Sequence, residues 1–236
     1  TQLTNDVYDD LEPSFVTFPN KMGIVFSSNR PNPSAADADT ALPSNNRYNI
    51  FMIPNYGENT EANQITQLTK MNYGNASYPA QYNVNHFSFL SDENGILNRY
   101  AGMFVTKKAW LDTLITIGDD ILRNPTQHDI DSALAINNAK EITAMNVVSI
   151  STDSSYVFPI TNIPYNIVET RTAGLDRVTS EVTQSDNEKV LTKIRVDEGI
   201  LTQRSIVAPP TTFAKKIILE TTLTPSLNSD SAKNEA

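Results

Sequence analysis

Gln2-Leu3-Thr4, then Pro13, then Ile24-Val25-Phe26-Ser27-Ser28-Asn29-Arg30 are matched further along the chain. There, Gln67-Leu68-Thr69, Pro79 and His86-Phe87-Ser88-Phe89-Leu90-Ser91-Asp92-Glu93-Asn94-Gly95 follow in the same order. Leu3 to Leu68 is a step of 65 residues and Phe26 to Phe89 one of 63. A fixed order at a nearly constant offset marks an internal repeat, and repeat folds are misjudged when each segment is read alone.

Between the two copies, Tyr48-Asn49-Ile50-Phe51-Met52-Ile53 alternates like a strand, Asn55-Tyr56-Gly57 reads as a turn and Gln64 to Thr69 as a further strand. One unit is therefore about four short antiparallel strands, too small to bury its own faces, which is the logic of a β-propeller blade. Residues 1–104 read as two such repeats. The segment 105–141 reads as an insertion. Within it Leu111 to Ile117 alternates, and Thr126-Gln127-His128-Asp129 ahead of Ile130, Leu134 and Ile136 predicts a short capped helix. Residues 142–222 read as a degenerate third repeat. There Val157-Phe158-Pro159-Ile160-Thr161 stands where Gln67-Leu68-Thr69 stood, 92 residues on from Thr69 to Thr161. Asn166 to Glu169, Arg177 to Thr183 and Lys189 to Glu198 are predicted strands, and Lys216 to Thr222 a last one. Residues 223–236 form a polar, charged tail. The fold class is thus all-β: propeller blades of four antiparallel strands, with one long insertion. Since closed propellers need about four to eight blades, the ring is incomplete.

These strings, Gln-Leu-Thr, a proline some ten residues on, Val25-Phe26-Ser27-Ser28-Asn29-Arg30 and Tyr48-Asn49-Ile50-Phe51-Met52-Ile53, resemble the TolB-like (WD-repeat-like) propeller repeat. The resemblance is good over Glu12 to Thr69 and fair over Tyr78 to Phe104. It departs at the usual Ser-Pro-Asp-Gly turn, present only as Phe18-Pro19-Asn20-Lys21-Met22-Gly23, and at the inserted polar loop Pro31 to Asn46. It implies that the proline opens the innermost strand and that the protein works as a periplasmic binding partner of other envelope proteins.

Charge narrows the function classes. With 27 acidic against 18 basic residues, a formal charge of −9 leaves no broad cationic face for phosphates, so nucleic acid is not an expected partner. The same charge opposes docking on an anionic bilayer, and no apolar run approaches the roughly eighteen residues needed to span one. No cysteine is present, which excludes disulfides, thiolate metal sites and cysteine nucleophiles. Thr1 to Asp10 carries no secretory-signal pattern, which leaves a processed and a cytoplasmic chain both open. Abundant Asn, Thr and Ser with sparse Lys resembles exported bacterial proteins.

The search for chemistry returns no catalytic, cofactor-binding or metal-binding residue to nominate. Gly-x-Ser-x-Gly does not occur among the 8 glycines, and no phosphate-binding glycine loop is present. Of the two histidines, His86 reads as a half-buried strand residue, and His128 with Asp129 and Asp131 reads as a helix start, where acidic residues favour the dipole. Asp92-Glu93-Asn94-Gly95 has part of a calcium-loop pattern but reads as a turn. Asp37 with Asp39, Asp119 with Asp120, and Asp9-Asp10 with Glu12 are further acidic pairs without a converging ligand set. The aromatics Tyr48, Phe51, Tyr78, Tyr82, Phe87, Phe89, Tyr100 and Phe104 fall on predicted strands and read as inter-blade packing. The expectation is a non-catalytic protein-binding or scaffolding module of a Gram-negative envelope complex, periplasmic or at the cell surface, with no cofactor. Its contact surfaces are expected at Pro31 to Asn46 and Thr106 to Glu141. The alternative is an accessory or gating propeller of a peptidase or carbohydrate-active hydrolase whose catalytic domain lies elsewhere.

Overall fold

The computed structural model describes residues 3–4, 6–19, 21–31, 47–54, 65–118, 120–137, 141–173 and 177–223. The chain divides into two compact units, one of Thr1–Phe104 with Ser155–Ala236 and one of Val105–Ser154.

In the first unit, β1 (Asp10–Phe18), β2 (Lys21–Ser28), β3 (Asn49–Pro54) and β4 (Thr66–Gln67) form an antiparallel meander in chain order. Successive side chains on a strand point to opposite faces, so the nearly unbroken apolar runs of β2 and β3 divide between two cores. Val25, Ile50 and Met52 join Val16, Phe18, Leu68, Phe87, Phe89 and Tyr100 on one side. On the other, Phe26, Phe51 and Ile53 pack with Leu3 and Ile65. Each such buried side chain stabilises the fold by about 1.5–3 kcal/mol.

The second blade repeats this with β5 (Ala76–Gln81), β6 (His86–Ser91) and the start of β7 (Asn98–Ile117). Its last strand is the end of β9 (Ala144–Pro159), which pairs with β7. Gly102 faces Phe87 across β6 and β7, and a Cβ there would lie 2.2 Å from the ring, so the close approach of backbone to aromatic requires glycine. The third blade is the sheet β10 (Asn166–Ala173), β11 (Val178–Ser185) and β12 (Glu188–Arg195), with no fourth strand among the described residues.

The repeat extends to individual hydrogen bonds. In the first blade the Leu68 and Thr69 N–H groups donate to the Ile50 carbonyl at 2.8 and 3.2 Å. The Ile50 N–H donates to the Thr69 hydroxyl, and that hydroxyl and the Met71 N–H donate to the Asn49 side chain. In the second, the Ile160 and Thr161 N–H groups donate to the Arg99 carbonyl at 2.9 and 3.2 Å. The Arg99 N–H donates to the Thr161 hydroxyl, and that hydroxyl and the Ile163 N–H donate to Asn98. The Ala76 N–H to the Tyr48 carbonyl and the Ile167 N–H to the Leu97 carbonyl, both 2.9 Å, complete the correspondence. Thr161 therefore plays the part of Thr69, although only the threonine is shared between Gln67-Leu68-Thr69 and Pro159-Ile160-Thr161.

The second unit contains the far parts of β7 and β9, β8 (Asp120–Arg123) and α1 (Gln127–Ile136). Thr126 caps the helix in a reciprocal capping box with Asp129. Ile115, Ile117 and Ala133 form a small core with Leu122, Ile130 and Leu134.

Two strand readings are corrected: the strand expected over Lys189 to Glu198 ends at Arg195, with Asp197 and Glu198 starting a short helix instead, and the last expected strand is a helix as well. Lys216 to Thr222 is not a strand but part of α3 (Thr212–Leu223). The run Ile217-Ile218-Leu219 has no period of its own, and its branched residues suggest extended chain. The helix is selected by Ala214 packing inward, an Ala214 N–H bond to the Thr211 hydroxyl at 3.2 Å, and an i,i+4 pair of Lys216 with Glu220. Gly95 receives the start of this helix: its φ of 92° and the 2.3 Å a Cβ would leave to the Thr211 hydroxyl both require glycine. A short α2 (Glu198–Gln203), capped by Asp197, packs Leu201 with Tyr82, Phe158 and Ile160 and was not foreseen. The all-β class itself stands: antiparallel sheets, none closed on itself among the described residues, with one long insertion.

Candidate functional site

The first strands of the three sheets, β1, β5 and β10, lie side by side and line a cavity of about 270 Å³. Each contributes three residues: Glu12-Pro13-Ser14 from β1, Tyr78-Pro79-Ala80 from β5 and Thr170-Arg171-Thr172 from β10. The pairing of each strand with its neighbour shifts register close to this point, between Leu11 and Ser14, Ser77 and Ala80, and Ile167 and Glu169. Glu12 and Tyr78, each directly before a proline, adopt φ of 54° and 51°. That conformation is unfavourable for a side chain of this size and more so before proline, so the surrounding sheet holds both residues in it. The prolines have no N–H to offer, which blunts the edge strands β1 and β5 against further strand pairing.

Side chains bridge the blades around this cavity. The Glu12 carboxylate accepts the Tyr78 N–H. Gln81 accepts from the Thr17 N–H at 3.0 Å and donates to the Thr17 carbonyl at 2.7 Å, satisfying both backbone groups of β1 at that point. The Arg171 guanidinium lies over the Tyr78 ring, 5.7 Å from its centroid, and pairs with Glu169 at 3.4 Å. Burial, then the Glu12 and Glu169 charges, push the Tyr78 phenol above its ordinary value against the opposing pull of Arg171. The arrangement presents a carboxylate, a guanidinium, a phenol and small hydroxyls on a rigid strand scaffold, a set suited to recognising polar or charged groups of a partner.

A second concavity of about 550 Å³ lies on the sheet β10-β11-β12, lined by Arg171, Ala173, Val178, Ser180, Leu191 and Lys193 among others.

The residues considered from sequence fall elsewhere. His86 is half-buried at the start of β6, its Nδ1 3.1 Å from the Asn83 side-chain oxygen and its ring edge-on to Phe158; burial lowers its pKa. His128 is exposed on α1, and Asp129 serves the capping box, its carboxyl held low by the Thr126 hydroxyl. Asp92 to Gly95 is a turn closed by the Gly95 N–H to the Asp92 carbonyl at 2.7 Å. Asp10 pairs with Arg30, Asp9 accepts the Tyr48 hydroxyl, and Asp120 accepts from Asn137. Asp37, Asp39, Asp119, the turn Asn55 to Gly57, all of the loop Pro31 to Asn46 but its first residue, and the tail from 224 lie outside the described residues. Among the described residues no three His, Asp or Glu side chains are grouped to hold a metal ion, and no helix is long and apolar enough to cross a membrane. Of the aromatics, Phe87, Phe89, Tyr100 and Phe104 pack in one core, Phe51 and Tyr82 in two others, and Tyr78 lines the cavity.

Two features of the structure were not foreseen from the sequence. Arg171 and Thr170 occupy the places of Ala80 and Pro79, so the third blade enters the cavity without the proline that marks the other two. Arg99 is buried at the second and third blades' junction, bonded to Glu181 and, at 2.6 Å, to the Thr170 hydroxyl. A charged residue inside a predicted core strand is the one sequence signal that could have flagged it.

No protein-family model matches the chain, and comparison with curated proteins and with solved structures likewise returns no match.

Proposed function

We propose that the chain is a non-catalytic protein-binding or scaffolding module of the TolB-like propeller kind, acting in the envelope of a Gram-negative bacterium, in the periplasm or at the cell surface. The observation that carries this reading is the cavity to which all three blades contribute from the bulged parts of their first strands. Repeat proteins place recognition surfaces where successive units converge, because a rigid scaffold there presents side chains from several strands at once. The lining supports a protein ligand over an apolar small molecule: Glu12, Arg171 and Tyr78 offer charge and hydrogen bonding, while prolines keep the edges from recruiting strands indiscriminately.

A photo-crosslinking amino acid placed at Ala80, facing the cavity, and separately at Lys216, on the exposed side of α3, tests it. After irradiation in an envelope extract, a discrete protein adduct is expected from position 80 and not from 216. Equal labelling from both positions, or none from 80, removes the cavity from the binding role. Fractionation of the native host, followed by immunodetection, checks the compartment.

A further inference from the structure

Among the described residues the third blade has no fourth strand, and the N-terminal segment holds a fourth-strand position with no strand beside it. Following the register from β10 through β11, Val190 stands in β12 where Asn49 and Asn98 stand, and Leu191 where Ile50 and Arg99 stand. Ile50 is 0% and Arg99 2% exposed, each beneath the next blade, whereas Leu191 is 75% exposed. Lys193, likewise exposed, takes the place of Met52 and Ala101, both buried. Among the described residues β12 pairs only with β11.

The matching segment is Leu3-Thr4. Leu68 packs against Phe89 and Tyr100 of the blade that follows it. Leu3 packs against Phe26 and Phe51, the corresponding residues of the first blade. It occupies the position of a fourth strand, with no third strand of a preceding blade beside it among the described residues.

We infer that a second copy of this chain docks on the outward face and free edge of β12, its Leu3-Thr4 supplying the missing fourth strand and its first blade covering Leu191. The contact continues the blade-on-blade packing already formed twice within the chain. Charge favours it as well. β12 carries Lys189, Lys193 and Arg195 against Glu188, while Asp6 to Glu12 carries Asp6, Asp9, Asp10 and Glu12 against the buried Arg30. Exchanged reciprocally, the contact joins two sets of three blades, a number within the range of closed propellers. The asparagine of the signature is absent from β12, so the main-chain bonds and the cover over Leu191 hold the strand without a Thr4 hydroxyl bond to an amide. The inference rests on the blade reading given above.

The chain has no cysteine, so introduced ones report a single contact. The Thr69 hydroxyl lies 2.9 Å from the Asn49 side-chain oxygen, which makes Thr4→Cys and Val190→Cys the matching pair. Mixing the two single variants under mild oxidation is expected to give a covalent species of twice 26.1 kDa, at least tenfold above a mixture of Val190→Cys with Lys216→Cys. Sedimentation of the unsubstituted chain at tens of micromolar is expected to show a dimer, and Leu191→Glu to shift it to monomer with its circular dichroism retained. A monomeric unsubstituted chain, no excess over the control mixture, or a disulfide formed within one chain carrying both cysteines each overturns the inference. Labelling from Ala80 survives any of these results, which separates failure of the second-copy contact from failure of the binding role.

Discussion

Two arginines, Arg30 and Arg99, are fully enclosed by the first unit, and they do different work. The Arg30 guanidinium holds Asp10 through both carboxylate oxygens at 2.8 and 2.9 Å and Asp6 at 3.2 Å, with the rings of Tyr8, Phe26 and Phe51 within 5.8 Å. All of these residues belong to the first blade or the segment leading into it. Arg99 instead bonds Glu181 and Thr170, 82 and 71 residues away, and so joins the second blade to the third. A buried cation contributes net stability only when its partners are fully arranged, and much of the energetic effect appears when one partner is removed. Arg30 therefore sets the order of a local segment, and Arg99 sets whether two sheets belong together.

The sharpest way to break this contrast is Arg99→Ala. It leaves the Glu181 carboxylate buried without its cation, and a loss of about 3–5 kcal/mol in chemical denaturation is expected. The double variant Arg99→Met/Glu181→Leu is expected to recover most of that loss; a double variant as unstable as the single one would falsify the assignment of the cost to the stranded carboxylate. Arg30→Ala is expected to cost less, about 2–3 kcal/mol, because Asp10 is already partly exposed and can rehydrate while Asp6 cannot. Hydrogen exchange should then quicken at residues 6–10 and remain slow in β10 and β11, whereas Arg99→Ala should quicken the latter.

Thr69→Val and Thr161→Val each remove a hydroxyl that accepts one backbone N–H and donates to an asparagine. Equal losses of about 1–2 kcal/mol are expected, since two bonds go and the Ile50 or Arg99 N–H is left without an acceptor, while the asparagine oxygen keeps the Met71 or Ile163 N–H. A large inequality between them would separate the two junctions that the hydrogen-bond pattern equates. The smallest effect is a pH dependence. Burial lowers the folded-state pKa of His86 below its ordinary value of 6.5. The unfolded chain then binds more protons as pH falls through 6.5, so stability is complete above that pH and declines below it toward the folded pKa. Melting temperatures between pH 7.5 and 5.5 should fall less steeply for His86→Gln than for the unsubstituted chain.

The repeat was legible because period-two apolar runs and the Leu-Thr pairs are local signals, and the structure places Leu68-Thr69 and Ile160-Thr161 in the same bonds. The capped helix at Thr126 was legible for the same reason, since a capping box lies within four consecutive residues. Lys216 to Thr222 was misread because a short run of Ile and Leu has no period to choose strand over helix, and the choice fell to Ala214 and Thr211 at its start. The cavity was not legible at all: its third side is Thr170-Arg171-Thr172, which shares no residue with Glu12-Pro13-Ser14 or Tyr78-Pro79-Ala80.

By itself the sequence determined an all-β chain of repeated blades with an insertion, because strand period and turn chemistry act over a few residues. Only the tertiary structure decided which edges remain open, that Arg99 meets Glu181, and that three unlike tripeptides face one cavity. Those outcomes depend on the register between strands distant in the chain, and register is set by the packing of whole sheets rather than by neighbouring residues.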